Sequence, residues 1–86
     1  MRTFDHTGEG RPISAETVQE AAEKLARRMY GPRGTVGALR HDSDTVSGSG
    51  RVTGSTWEAF IGRGPTAADR RRGDAGVTGA NVTLWV

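Results

Sequence analysis

The chain has 86 residues, with 12 Lys plus Arg, 10 Asp plus Glu, two His, 13 Gly and no Cys, for a net charge of +2. That length holds one domain, and an apolar share of 34% keeps its core small, with too little scaffold to wall off a deep catalytic cleft. No run approaches the ~18 apolar residues of a membrane span, the lack of Cys excludes a disulfide framework and a thiolate zinc site, and so slight a charge excess permits nucleic-acid contact without demanding it.

The opening stretch, Met1 to His6, lacks an apolar signal-peptide core. The expectation is a cytoplasmic protein, the cytoplasm of a host cell included, with no membrane partner. Arg2 to Thr7 reads as a short strand turned by Gly8-Glu9-Gly10. A helix is predicted from Ala15 to Tyr30. Val18, Ala21, Ala22, Leu25, Ala26 and Met29 recur at helical spacing and form one apolar stripe, opposite Gln19, Glu20, Glu23, Lys24, Arg27 and Arg28. Ser14 is its expected N-cap, and Gly31-Pro32 ends it. The three Ala of the stripe let such a helix lie close to a flat sheet.

Strand signals come next in the chain. Thr35 to His41 is β-compatible, weakened by Gly37. Arg51 to Gly62 contains Trp57-Glu58-Ala59-Phe60-Ile61, with Trp57, Ala59 and Ile61 on one face and Glu58 and Phe60 on the other. Val77 to Val86 alternates: Ala80, Val82, Leu84 and Val86 face one way, and Asn81, Thr83 and Trp85 the other. Between these runs, residues 42–50 and 63–76 read as mobile loops, the second carrying Pro65 and Arg70-Arg71-Arg72. The fold class is therefore α+β in a single domain, residues 1–86. One amphipathic helix packs on an antiparallel sheet of three or four strands, in the order β-α-β-β-β.

The chemistry-bearing residues point away from catalysis. There is no Cys nucleophile, and no Ser or Thr lies beside a recognisable base-bearing motif. Gly48-Ser49-Gly50 with Gly54 lacks the spacing of a dinucleotide fingerprint. Asn81-Val82-Thr83 and Arg72-Gly73-Asp74 match short recognition patterns by chance. Asp5, His6, His41, Asp42 and Asp44 form a metal site only if their two strands adjoin, and their spacing matches no ligand motif. No cofactor and no metal are expected; metal content of the purified protein tests the residual metal-enzyme alternative.

Binding residues are easier to nominate. The helix covers one sheet face, and nothing else in the chain is long enough to cover the second. Phe60 and Trp85 are the candidates to project there, with Arg63 beside them, as the partner-binding residues. Alternation fixes which residues share a face but not which face is inward, and the alternative has Trp85 in the core with Val82, Leu84 and Val86 outward. Arg70, Arg71 and Arg72 offer bidentate donors to phosphate oxygens and carry the alternative, direct nucleic-acid binding.

Ile13-Ser14-Ala15-Glu16 at the helix start, Gly34-Thr35-Val36 at the next strand and the Trp57–Ile61 strand together give an arrangement over about Ile13 to Gly62. It resembles small phage anti-CRISPR proteins, some of which lay a single helix over an antiparallel sheet. The resemblance implies a stoichiometric inhibitor that docks on a nucleic-acid-handling complex, with no catalytic residue carried over. The expected function is thus a small non-enzymatic inhibitor or adaptor on a protein or protein–nucleic-acid complex, itself a monomer or weak homodimer.

Overall fold

The computed structural model describes residues 1–64, 67–73 and 78–86. Strands β1 (Arg2–His6) and β2 (Ile13–Ala15) precede helix α1 (Val18–Tyr30) and a single 3-10 turn, Gly31–Arg33. Then come β3 (Gly34–Val46), β4 (Val52–Arg63), a short helix α2 (Ala67–Arg71) and β5 (Thr78–Trp85). The class is α+β, as expected, but the sheet has five antiparallel strands in the order β2-β1-β5-β4-β3. The expected β-α-β-β-β order misses β2, and it misses α2 before the last strand.

The helix begins at Val18, three residues later than the expected start at Ala15. Thr17 is the N-cap: its hydroxyl accepts from the Glu20 amide at 3.2 Å, while the Glu20 carboxylate reaches back to the Glu16 amide at 3.3 Å. Ser14, the expected cap, lies instead in β2 opposite Thr3. In β2, Ile13 and Ala15 are both fully buried in the core cluster, which explains why the strand wins over one more turn of helix. At the other end Gly31 takes φ 75°, a conformation glycine adopts without strain, and its amide closes on the Arg27 carbonyl.

One layer of helix covers one face of the sheet. Ala21, Ala22, Leu25 and Ala26 are the buried face of α1. They meet Phe4, Ala59, Ile61, Val82 and Leu84 from the strands, with Val36, Leu39 and Trp57 packed at the margin. Small side chains bring the backbones close. A Cβ placed on Gly34, at the start of β3, would overlap the Ala26 carbonyl oxygen and lie 2.8 Å from the Arg27 nitrogen.

The molecule is long for its size. Its radius of gyration is 15.1 Å, against about 12 Å for a compact chain of this length. The cause is the β3–β4 hairpin, which runs past the rest of the sheet. β5 stops pairing at Trp85 opposite Thr56, and Val86 adds a last backbone pair to Ser55 at 3.1 Å. Beyond that point β3 and β4 continue alone as a two-stranded arm, closed by the turn at residues 47–51. Residues 42–46, expected in a loop, are therefore strand. Val46 and Val52 face each other across the arm tip, 56% and 55% exposed. The outer edge of β3 is free along its length, and two extra residues, Gly37 and Asp42, interrupt its register with β4, a device that discourages edge-to-edge pairing. Of the second expected loop, Arg63 ends β4 and Ala67–Arg71 is helical; residues 65, 66 and 74–77 lie outside the described residues. No helix among the described residues is long and apolar enough to cross a membrane.

Candidate functional site

Directly opposed residues in an antiparallel sheet share a face, so the register defines what the uncovered face presents. Three rows run across it. Ala38, Phe60 and Asn81 form the first, and Arg40, Glu58 and Thr83 the second. The third spans four strands: Ser43, Thr56, Trp85 and Asp5. Val82 and Leu84 point the other way into the core, so the period-2 pattern of β5 has Trp85 on the open side, 39% exposed.

Phe60 is half-buried although no layer covers it. Its ring lies along the sheet over two glycines. A Cβ on Gly79 would come 2.8 Å from the ring tip, and one on Gly37 would come 3.2 Å from its near edge. The missing side chains let the ring lie down, an arrangement that shields strand glycines. Beside it is a depression of about 200 Å³ lined by Ala38, Arg40, Glu58, Ala59, Phe60 and Asn81. Small-molecule pockets begin near ~300 Å³, so this hollow suits one inserted side chain better than a ligand. Arg40 and Glu58 close one flank with a 2.9 Å ion pair, too exposed to contribute more than about 1 kcal/mol.

Arg63 does not join these rings. It lies in phase with Ala59 and Ile61, and so on the helix side, at the end of β4 where Gly34 and Thr78 oppose it. Trp85 lies opposite Thr56, about 23 Å away along the strand. Arg63 instead donates to Asp69 at 3.1 Å, and Arg72 donates to the other oxygen of Asp69 at 2.6 Å. The arginines thus gather at one end of the sheet, around α2, rather than as a rim about Trp85. Arg70 and Arg71 are exposed there, with no carboxylate partner among the described residues.

Trp57, the other tryptophan, belongs to the core side. It meets Phe4 edge-on at 5.9 Å and His41 at 5.8 Å. The two histidines do not adjoin, since β5 and β4 separate β1 from β3. His6 ties down its own turn, with Nε2 at 2.5 Å from the Arg11 carbonyl and Nδ1 accepting from the Gly8 amide at 3.1 Å. Among the described residues no three His, Asp or Glu side chains converge on a metal-sized site.

His41 instead pairs with Asp44 at 2.8 Å, and the Ser55 hydroxyl donates to the same carboxylate oxygen at 2.5 Å. Serine faces the carboxylate rather than the imidazole, so no base activates it and the trio is not a nucleophilic triad. The Ser55 hydrogen bond, then that of His41, holds the Asp44 carboxyl below its ordinary value. A depressed carboxylate favours the folded arm above its unfolded pKa and loses that effect as pH falls through the folded value. In a ¹³C titration Asp44 should therefore protonate below the usual aspartate range, and Ser55→Ala should move its midpoint up. An unmoved midpoint would remove Ser55 as the main cause.

Comparison with protein-family models, with curated proteins and with solved structures returned no match.

Proposed function

We propose that the chain is a small non-enzymatic binding module, an inhibitor or adaptor that docks on a protein or protein–nucleic-acid complex through the uncovered face of its sheet. The observation that carries this reading is Trp85, 39% exposed in the middle of a four-strand row with no covering layer. Large rings near the centre of a flat, otherwise polar face are where interface energy concentrates. The hollow beside Phe60 gives such a partner a place to insert one side chain. The resemblance to small anti-CRISPR proteins points to the same kind of role.

Size adds a constraint. Three strands about 4.8 Å apart and eight residues long, with the short β1 at one corner, present at most roughly 500 Å², whereas a standard interface takes about 800 Å² from each partner. Docking on this face alone is too small for a stable complex, so the contact extends onto the β3–β4 arm.

The test is capture of a partner from extract of the native host, with and without nuclease. Wild-type protein should retain the partner in both arms. Trp85→Ala should lose it, with at least about thirtyfold weaker binding, the scale of a hot-spot residue, and an unchanged melting temperature. Unfolding of Trp85→Ala, with binding lost only as a consequence, would make this ring structural and sink the surface.

The second reading is direct nucleic-acid binding through Arg70, Arg71 and Arg72. It rests on the exposure of Arg70 and Arg71 without a carboxylate partner among the described residues. Salt separates the readings. Phosphate contacts weaken steeply as salt rises, and an apolar protein interface does not.

A further inference from the structure

Arg70, Arg71 and Arg72 are adjacent and all three are exposed. The first two end α2, a helix of five residues, and the third comes next in the turn. So short a helix has little stability of its own; it is closed by the Arg72 amide on the Ala68 and Asp69 carbonyls at 3.1 Å and tied to β4 by the Asp69–Arg63 ion pair. An endoprotease needs a segment that can be drawn out into its cleft, so the cost of local opening decides where it cuts.

The other basic residues are worse placed. Those of α1 sit on a helix whose inner face is the core. Arg2, Arg40 and Arg63 are within strands. Arg11 precedes Pro12, whose rigid, N–H-less ring makes a poor scissile partner. Arg33 precedes Gly34, which is pressed against the Ala26 carbonyl. Arg51 closes the arm tip, with its carbonyl held by the Ser47 amide at 2.8 Å.

The strand C-terminal to the tribasic run is held independently of it. β5 lies between β4 and β1, paired from Thr78 to Trp85 on one side and at Leu84 and Trp85 on the other. Thr7 and Thr83 exchange two further hydrogen bonds, each 3.0 Å. Val82 and Leu84 are buried in the core. None of these contacts involves residues 64–77.

We propose that Arg70-Arg71-Arg72 is a processing site for an endoprotease specific for basic residues, and that the cut chain persists as a two-piece protein with β5 still seated in the sheet. Hydrolysis consumes one water. The peptide bond after an arginine breaks, its acyl carbon becomes a carboxylate, and its nitrogen becomes the α-ammonium of the second piece. Cleavage converts β5 from a covalent part of the sheet into a bound strand, and the slot between β1 and β4 into a binding site for that strand.

The experiment is brief digestion of the native protein with trypsin, read by mass spectrometry and by native size exclusion. The first cut should fall after residue 70, 71 or 72, and both pieces should co-elute until denaturant is added. The combined variant Arg70→Gln, Arg71→Gln, Arg72→Gln should survive intact at least about tenfold longer, because proteolysis tracks the openable site. Its melting temperature shows whether it folds; if it does not, the wild-type cleavage map decides. A first cut elsewhere, after Arg33 or Arg51 for instance, overturns the processing site. Loss of the β5 piece from native cut protein overturns the two-piece assembly.

Discussion

Leu25→Ala should lower the stability of the protein by about 2–5 kcal/mol, the range for a leucine truncated in a core. Leu25 is fully buried at the middle of the α1 stripe. Its two methyl groups also press on the β1–β2 turn, where a Cβ on Gly8 would lie 3.2 Å from each. The residue thus joins helix, sheet and turn at one point. Its helical neighbours Ala21, Ala22 and Ala26 are too short to swing into the space it leaves. Domains of this size start from the lower end of the ~5–15 kcal/mol range, so the loss is a large share of the total. At about 4–8 °C per kcal/mol, the melting temperature should fall by at least about 8 °C. An unchanged melt would remove the helix-on-sheet core as the main source of stability.

Gly34→Ala should cost about 3 kcal/mol, at the upper end of what overpacking does. The sign is informative because two effects oppose each other. Gly34 has φ −61° and ψ 132°, a conformation alanine adopts freely. On backbone entropy alone the substitution would stabilise by about 0.4–1 kcal/mol. Against that, the new methyl would overlap the Ala26 carbonyl, a backbone atom of α1 that cannot rotate away. The last turn of the helix must lift off β3 to admit it. Urea unfolding should show a lower midpoint with a similar slope. A raised midpoint would mean that the helix end yields at little cost and that the close approach is not a structural requirement.

The helix was readable in the sequence because its burial has one period and one partner. Its start was not, because Ala15 suits two patterns at once. It lies three residues before Val18 and seven before Ala22, in phase with the helical stripe, and two after Ile13, in phase with a strand. The deciding signal was Thr17-Val18-Gln19-Glu20, a capping-box spacing that places the boundary at Thr17. The arm was hidden for a different reason. Asp42 to Val46 has no core beneath it, so nothing imposes the alternation by which strands are recognised. What remained were β-branched residues on both sides of the tip, Thr45-Val46 and Val52-Thr53, flanking a Ser- and Gly-rich turn. At the candidate site, the parity of Phe60 and Trp85 came from alternation within single strands. The separation of Arg63 from Trp85 depended on which residues of β4 and β5 stand opposite each other, and that register is a property of two strands together.

The position of β5 also fixes when the protein can become itself during synthesis. β1 is made first, yet its second neighbour in the sheet arrives only with residues 78–85. Until those residues emerge from the ribosome, β1 with β2 and β3 with β4 are two separate hairpins joined by α1. Each has an unpaired edge, and neither has Val82 or Leu84 to complete the apolar floor under the helix. From β1 until β5 is made, the nascent chain therefore has no finished core. Closure then joins partners 76 residues apart, such as Thr7 and Thr83, the kind of long-range step that slows folding. A stalled or truncated product lacking β5 would expose two open strand edges, the surfaces that holdase chaperones and degradative proteases meet first.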